Sequence, residues 1–501
     1  MNILYKAGIT ACTIAVLLSS GGNAEAQENR QMTLDTAVDV AMKNSYRIKH
    51  LQMNIEANRL WLKSRQAGLK SRVYMNMKMP NLSSSSDFEW DSNENRDVIV
   101  RKDTSKWQMD LAVSQPVVIM GYPTNGYLSF NTTTYRYLQK NQGNDVDYYN
   151  RYYMKFQQPF FQPNYLKNNI EDAELDLQRR ELEYVRDRAW TINSIADDYY
   201  DFFEYTCNDI VYQTQVDNLN RVEVLANQAA LADTTRRIET VQAKVEIANI
   251  REDLLKNQSR MRQEGARLKQ RLRMSLEDSI FVVPEFPFKS IIIDLEQAIE
   301  FGHNLSPTLR MLGIDRRKNQ ISVNNAEGWD SFNLNLEMTY GLEKQHDRYQ
   351  SIWEEFDNSN SIALNAYIPV WDWGRKKTRL EAQKISLRRT ELRIEENRTE
   401  ISSNISIEVE NFLELQGRTE NMMESRTMAA DITEAGVEQY RSGAISIRDV
   451  IQMIESQKDT EMNFLDAYQG YRRSLISLMM HTFYDYENGI SLLDKFRPTD
   501  I

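Results

Sequence analysis

Four histidines, His50, His303, His346 and His481, are the side chains best suited to metal ligation or proton transfer, and none has a partner at ligand spacing. Carboxylates cluster at Asp197-Asp198-Asp201, where the spacing reads as helix surface facing water. Asp145 and Asp147 could hold calcium in a loop, although plain hydration is the simpler reading. Cys207 sits in the helical run YYDFFEYTCND and reads as packing. Neither a glycine-rich phosphate loop nor a nucleophile elbow occurs. The residues therefore predict no catalytic centre, no cofactor and no metal site.

What does recur with meaning is a pair of junctions. The run Ile368-Pro369-Val370-Trp371-Asp372-Trp373-Gly374 follows the alternating SIALNAY and opens a long charged segment without proline. It reads as a strand ending at Pro369, an aromatic turn, and a helix launched from a glycine free to take positive φ. Moving back 210 positions places Pro159 under Pro369 and Asn164 under Gly374. Asn tolerates the left-handed region, so the copy is expected to keep the geometry. The same offset carries Asp233 onto Gly443, Glu239 onto Asp449 and Gln242 onto Gln452, inside ADTTRRIETVQAK and SGAISIRDVIQM, where a turn leads into a helix. TLDTAVDVAMKNSY and DLEQAIEFGHNLSP repeat at a spacing of 261, so the first half carries 261 − 210 = 51 additional residues. A period this long indicates two homologous halves rather than a solenoid.

The elements that must hold these junctions follow from periodicity. Residues 1–26 read as a secretory signal: Lys6, an apolar run from Ala7 to Leu18, and Ala24-Glu25-Ala26 as the cleavage pattern. Cys12 lies within that run, leaving Cys207 alone and no intramolecular disulfide. Lys6 and Glu25 would leave together, so the net charge stays at −11, which disfavours nucleic-acid binding. Beyond the signal no apolar run reaches the length of a membrane helix, which leaves strands as a route into a bilayer.

Residues 33–72 and 294–326 have helical spacing, with a break or restart at Pro307, which falls where Tyr46 does. Between Arg72 and Pro159 the period is two, giving four candidate strands around a Ser-rich, acidic loop from Ser83 to Asp103 and a polar loop through Asp147. The second half has two, from Phe332 to Tyr340 and from Ser361 to Tyr367, so the additional residues look like one added hairpin. Aromatics such as Trp107, Tyr127, Tyr340, Tyr367, Trp371 and Trp373 gather near strand ends, as in transmembrane strands. So few strands cannot close a barrel, which points to closure by several chains. Long helix pairs follow at 164–276 and 374–485; Leu182, Val185, Ala189, Ile192, Ala196, Tyr199, Phe203, Thr206 and Ile210 step by three and four as a coiled-coil seam, as do Ile394, Ile401, Ile405, Phe412, Leu415 and Met422 in the second half.

In TLDTAVDVAMKNS, QPFFQPN, IPVWDWGRKK and YRSGAISIRDVIQMIESQ, in this order across nearly the whole chain, the sequence resembles the TolC-like outer-membrane efflux channel family. The resemblance implies an α+β membrane protein of duplicated half-repeats: a trimeric transmembrane β-barrel continuous with a long periplasmic α-helical coiled-coil barrel. The domains would be a signal at 1–26, a first repeat at 27–277 with its β region at 72–160, a linker at 278–293, a second repeat at 294–490 with its hairpin at 331–369, and a tail at 491–501. If the added hairpin joins the wall, three chains of six strands make eighteen; otherwise three of four make twelve.

The resemblance further implies a passive, non-enzymatic exit channel of a tripartite system in the outer membrane of a Gram-negative bacterium. It would carry small toxic compounds or exported substrates, with outer-membrane lipid around it. Its partners would be a periplasmic adaptor (membrane fusion) protein and an inner-membrane transporter of the RND or ABC type, with no nucleic acid. The turns with Asp233, Thr234 and Arg236, and with Arg441, Ser442, Gly443 and Ser446, would form the periplasmic tip where the adaptor docks. Asp431, Glu434 and Glu438 lie near that end and are the candidate lumen constriction. The competing reading is a periplasmic coiled-coil adaptor or spacer without membrane strands.

Overall fold

The computed structural model describes residues 30–92, 95–140, 144–232 and 236–497. The signal reading, Asp233 and Thr234 lie outside the described residues. In chain order the elements are β1 (Arg30–Gln31), α1 (Leu34–Asn44), α2 (Tyr46–Ala67), β2 (Arg72–Asp91), β3 (Arg96–Ile119), β4 (Tyr122–Lys140), β5 (Asn144–Phe160), α3 (Tyr165–Ala232), α4 (Arg237–Leu272) and β6 (Ile280–Phe281). They continue with α5 (Leu295–Leu305), α6 (Pro307–Gly328), β7 (Asn333–His346), β8 (Asp357–Tyr367), α7 (Arg375–Arg441), α8 (Ile447–Thr482), β9 (Tyr484–Asp485), β10 (Ile490–Ser491) and α9 (Leu492–Lys495). The order short helix, helix, strands, long helix, return helix occurs twice.

The paired short helices restart for a local reason. Ser45 caps α2 by accepting from the Ile48 N–H, and Ser306 caps α6 by accepting from Leu309, with Pro307 at the first helical position. A proline there lacks only a donor that the first turn cannot use.

The chain divides into two compact units. One takes the described parts of 1–44 together with 198–286 and 433–458. Its core is a meeting of four seams: Leu219, Val222 and Ala226 from α3, Ala243, Ile247 and Ile250 from α4, Val437 and Tyr440 from α7, and Ile447, Val450 and Ile454 from α8. Each seam steps by three and four, the spacing that keeps one face of a helix against its neighbour. Ile210, placed in the seam by its spacing, is 48% exposed, so the apolar stripe of α3 lapses there.

The other unit takes 45–197, 287–432 and 459–501. Ile405, Val409 and Phe412 of α7 pack on Tyr471, Leu475 and Leu478 of α8, with Ile291, Ile293 and Ala298 closing the cluster. The rings of Phe412 and Tyr471 lie 5.6 Å apart, and the Tyr471 hydroxyl donates to the Lys289 carbonyl at 2.8 Å. A second cluster joins Val185 and Ala189 of α3 to Met480, Phe483, Leu492 and Phe496. Among the described residues no helix is long and apolar enough to cross a membrane.

This unit also holds a six-stranded sheet of order β2-β3-β4-β5-β7-β8, every neighbouring pair antiparallel. The added hairpin is thus part of the sheet, and the sheet is open in the single chain, with β2 and β8 as its edges. The expected loop from Ser83 to Asp103 is a correction: Ser83 pairs with Thr104, and the ladder runs on to Asp91 and Arg96. Ser and Asp are poor strand formers in general, but a ribbon wetted on both faces needs only its backbone ladder and period-two alternation, which Phe88 and Trp90 keep. The loop expected through Asp147 likewise shrinks, since β4 and β5 pair as far as Lys140 and Asn144.

Replacing Phe412 by Ala should cost about 3–5 kcal/mol, the usual penalty for emptying a buried aromatic site. Thermal unfolding in mild detergent would register it, and Phe412→Leu, which leaves a smaller void, should lose less.

Candidate functional site

Two regions concentrate polar chemistry, one in each unit. In the sheet, residues directly opposite each other share a face, so the register sorts the side chains. Val73 faces Val113, Met75 faces Leu111, Met77 faces Met109, Phe130 faces Met154, Leu336 faces Leu364 and Met338 faces Ile362. These make a predominantly apolar face, on which Thr132, Thr134 and Asn150 also stand, and it is exposed in the single chain: Met75 is 54% and Ile362 75% accessible.

The opposite face is polar and internally compensated. Lys155 pairs with Glu337 at 2.7 Å, and Gln157 donates to the same carboxylate at 2.9 Å. Arg151 stands 3.4 Å from Glu343, which also accepts from the Tyr149 hydroxyl at 2.7 Å. Thr133 and Gln108 both donate to Asp110. Such a face suits water and the other suits hydrocarbon. The sequence reading did not single out these charges; alternate strand positions carried the signal, but which strands are neighbours did not show.

At the strand-to-helix junctions Pro159 lies one residue inside the end of β5, opposite Asn335, and Pro369 lies just past β8. Gly374 has φ +79° with open space where a side chain would begin. Asp372 caps α7, its carboxylate accepting from the N–H groups of Gly374 at 2.9 Å and Lys376 at 2.8 Å, and the Lys376 and Gly374 N–H groups hold that carboxyl below its usual range. Asn164 requires a correction. Positive φ falls on Phe161, and Asn164 instead caps α3, its side-chain oxygen accepting from the Lys167 N–H while its amide donates to the Pro123 carbonyl. That carbonyl lies at the start of β4, the strand paired with β5, so the first copy ties its turn to the sheet with Asn164 where the second uses Asp372 and Gly374. Trp371 and Trp373 are 74% and 89% exposed, edge to face at 5.6 Å.

The second region is the helix-turn end of the other unit. α7 terminates at Gly443, φ +76°, with the Gly443 N–H donating to Tyr440 and the Ala444 N–H to Gln439. The Ser442 hydroxyl donates to the Gln439 carbonyl. Ser446 and Asp449 cap α8 reciprocally: the Ser446 N–H and hydroxyl donate to Asp449, and the Asp449 N–H donates to the Ser446 hydroxyl. These hydrogen bonds keep the Asp449 carboxyl low. Ser442, Gly443 and Ser446 are therefore committed to building the turn.

Positions 236 and 239 stand 210 before 446 and 449, and there the box is an ion pair, Arg236 with Glu239 at 2.9 Å. That pair turns onto α7. Glu239 accepts from the Tyr440 hydroxyl at 2.7 Å, and the Arg236 guanidinium lies 5.6 Å from the Tyr440 ring. Tyr440 is only 3% exposed; burial, then its bond to Glu239, raises its phenol well above the usual range. Nearby, Arg221 of α3 grips Glu434 of α7 in a two-pronged contact, 3.0 and 2.8 Å. Glu438 pairs with Arg441 at 2.9 Å, while Asp431 is exposed with no ion pair among the described residues. So of the three expected carboxylates, two are charge-compensated. Arg221 and Tyr440 escaped the sequence reading because their partners lie 213 and 201 residues away.

The remaining candidates are dispersed. Asp197 faces Arg473 at 4.0 Å and Asp198 pairs with Arg271. His303 bonds Ser402 at 2.9 Å, Cys207 is buried, and no group of three metal-ligating side chains occurs among the described residues.

No family model matches the chain, and no curated protein matches it. Solved structures do. The chain is similar to the transmembrane channel CusC with TM-score 0.60 and 14% identity, covering 93% of this chain and 95% of that one. It is similar to the Campylobacter jejuni CmeC outer membrane channel with TM-score 0.62 and 12% identity, covering 96% of each. The outer membrane protein VceC of Vibrio cholerae matches with TM-score 0.59 and 14% identity, covering 89% of this chain and 94% of that one. The chain thus has the fold of the TolC-like outer-membrane efflux channels over most of its length.

The Arg221–Glu434 contact also carries a pH signature. Two hydrogen bonds from Arg221 hold the Glu434 carboxyl below its ordinary value of 4.5. A lowered folded-state value means that the pair's stabilisation is complete above pH 4.5 and is lost as pH falls through the folded value. Since both side chains are well exposed, a double-mutant cycle of Arg221→Ala and Glu434→Gln should give about 0.2–1 kcal/mol of coupling at neutral pH. The coupling should shrink as the solution is acidified below 4.5.

Proposed function

We propose that this protein is the outer-membrane exit channel of a tripartite efflux or export system in a Gram-negative bacterium. Three copies join their sheets into one membrane barrel and their helix pairs into one periplasmic conduit. A periplasmic adaptor docks at the helix turns, and an inner-membrane transporter of the RND or ABC type supplies the energy. The channel itself catalyses nothing. The observation that carries this reading is a sheet with one predominantly apolar face, one polar face with paired charges and two unpaired edges, on a chain whose fold matches channels such as CusC and CmeC over most of its length.

The Arg221–Glu434 and Tyr440–Glu239 contacts then tie α3 and α4 to α7 and act as the latch of a closed tip, with Asp431, Glu434 and Glu438 on the α7 stripe toward the lumen. Adaptor binding favours the state in which these ties are released, shifting the population toward open. A periplasmic spacer without membrane strands is the competing reading, and it offers no occupant for an apolar face of six strands.

Fractionation tests the choice directly. The channel should remain with the outer membrane after a high-salt wash and run as a trimer by native mass spectrometry in mild detergent; a soluble monomer would refute the proposal. In planar bilayers, Arg221→Ala combined with Tyr440→Phe should raise conductance several-fold over the unaltered protein. The unaltered channel should pass cations in preference to anions, and Asp431→Asn should reduce that preference.

A further inference from the structure

The unpaired edges of the sheet define how a ring of chains closes. Six is an even number, so the β8 edge of one chain meets the β2 edge of the next in antiparallel sense, the sense of every seam inside the sheet. Both faces also match across such a seam. Ile362 and Leu364 on β8, and Met75 and Met77 on β2, belong to the apolar face; Ser361 and Asn76 belong to the polar one. Native edge strands are usually blunted by proline, lysine or a bulge. None of the three occurs along Asp357–Tyr367, and on β2 the first proline, Pro80, comes only at the register shift between Lys78 and Asn81. Residues 72–77, which precede Lys78 and Pro80, are therefore a clean template.

We propose that β8 of each chain pairs with β2 of its neighbour, so that three sheets of six strands close an eighteen-stranded barrel. The inference rests on the trimeric channel proposed above. The helices beside the sheet in the same unit set a scale for the ring. Arg47 of α2 contacts Asp187 of α3 at 2.8 Å, Lys318 of α6 contacts Asp176 of α3 at 2.6 Å, and Asn319 of α6 contacts Thr390 of α7 at 2.9 Å. Four helices thus stand side by side, α2-α3-α6-α7, in the order in which their strands follow. Twelve helices at typical spacing need a circumference of about 96–120 Å. Eighteen strands about 4.8 Å apart and tilted by about 40° need about 110 Å, whereas twelve need about 75 Å. The backbone diameter is then about 36 Å, against about 24 Å for twelve strands, so the membrane segment is not the narrow point of the path. Because β2 is the seam strand, the ribbon formed by residues 83–91 and 96–103 rises at each boundary between chains.

Electron cryo-microscopy of the full-length protein in lipid nanodiscs tests the count. Three chains, eighteen strands and β8 beside the neighbour's β2 are expected. A trimer of twelve strands, with β8 beside the neighbour's β4 and the β2–β3 hairpin off the wall, overturns this inference and leaves the channel reading standing. A lone subunit overturns both. Cysteine crosslinking in intact outer membranes gives a second readout on a Cys207→Ala background. Asn76→Cys combined in turn with Ser359→Cys, Ser361→Cys or Ala363→Cys spans the registers on one face, and oxidation should give covalent dimers and trimers for at least one pair. Crosslinking of Ser361→Cys to Asn131→Cys on β4, or none with Asn76→Cys in any register, overturns the seam.

Discussion

Unpaired backbone donors and acceptors along β2 and β8 are the constraint on which the rest of this molecule turns. In water an open edge is tolerated; in hydrocarbon each unsatisfied N–H or C=O costs several kcal/mol, and only ring closure removes the edges. The apolar face of the sheet adds a second demand, since Met75, Met77, Ile362 and Leu364 have no cover within the chain. In the proposed ring, lipid outside and identical sheets at both edges would satisfy the two demands together. The polar face is ready for that arrangement, because Glu337 and Glu343 are already neutralised by Lys155 and Arg151 on the adjacent strand.

The long helices answer a different problem. A rod with a seam stepping by three and four hides only a narrow stripe, so no single helix here owns a core. Four seams must converge, as they do around Leu219, Ile247, Tyr440 and Val450. Where the stripe lapses, at Ile210, the helix persists on its backbone bonds and on contacts elsewhere along its length.

Duplication and divergence are both visible at the helix turns. Equivalent positions hold Ser446 with Asp449 in one copy and Arg236 with Glu239 in the other. The first is a closed capping box that looks only to its own helix. In the second a longer cation keeps the local pairing, and its carboxylate keeps a free lone pair for the Tyr440 hydroxyl of α7. A change from a short polar side chain to a long charged one thereby converts a helix start into a tie between the two halves.

Local signals in the sequence determined most of the elements. The offsets of 210 and 261 exposed two halves, the break at Ser306-Pro307 and the turn at Gly443 fell where backbone chemistry requires, and the seams through Ile405 and Phe412 followed from spacing alone. These features depend on neighbours three or four residues away, and so they are written locally. Tertiary structure alone decided that the added hairpin enters the sheet, that the Ser-rich stretch is paired ribbon, that Asn164 caps a helix instead of turning left-handed, and that Arg221 holds Glu434. Each depends on a partner brought from far along the chain, and a hydrogen bond between residues 213 apart leaves no periodicity for a single sequence to display.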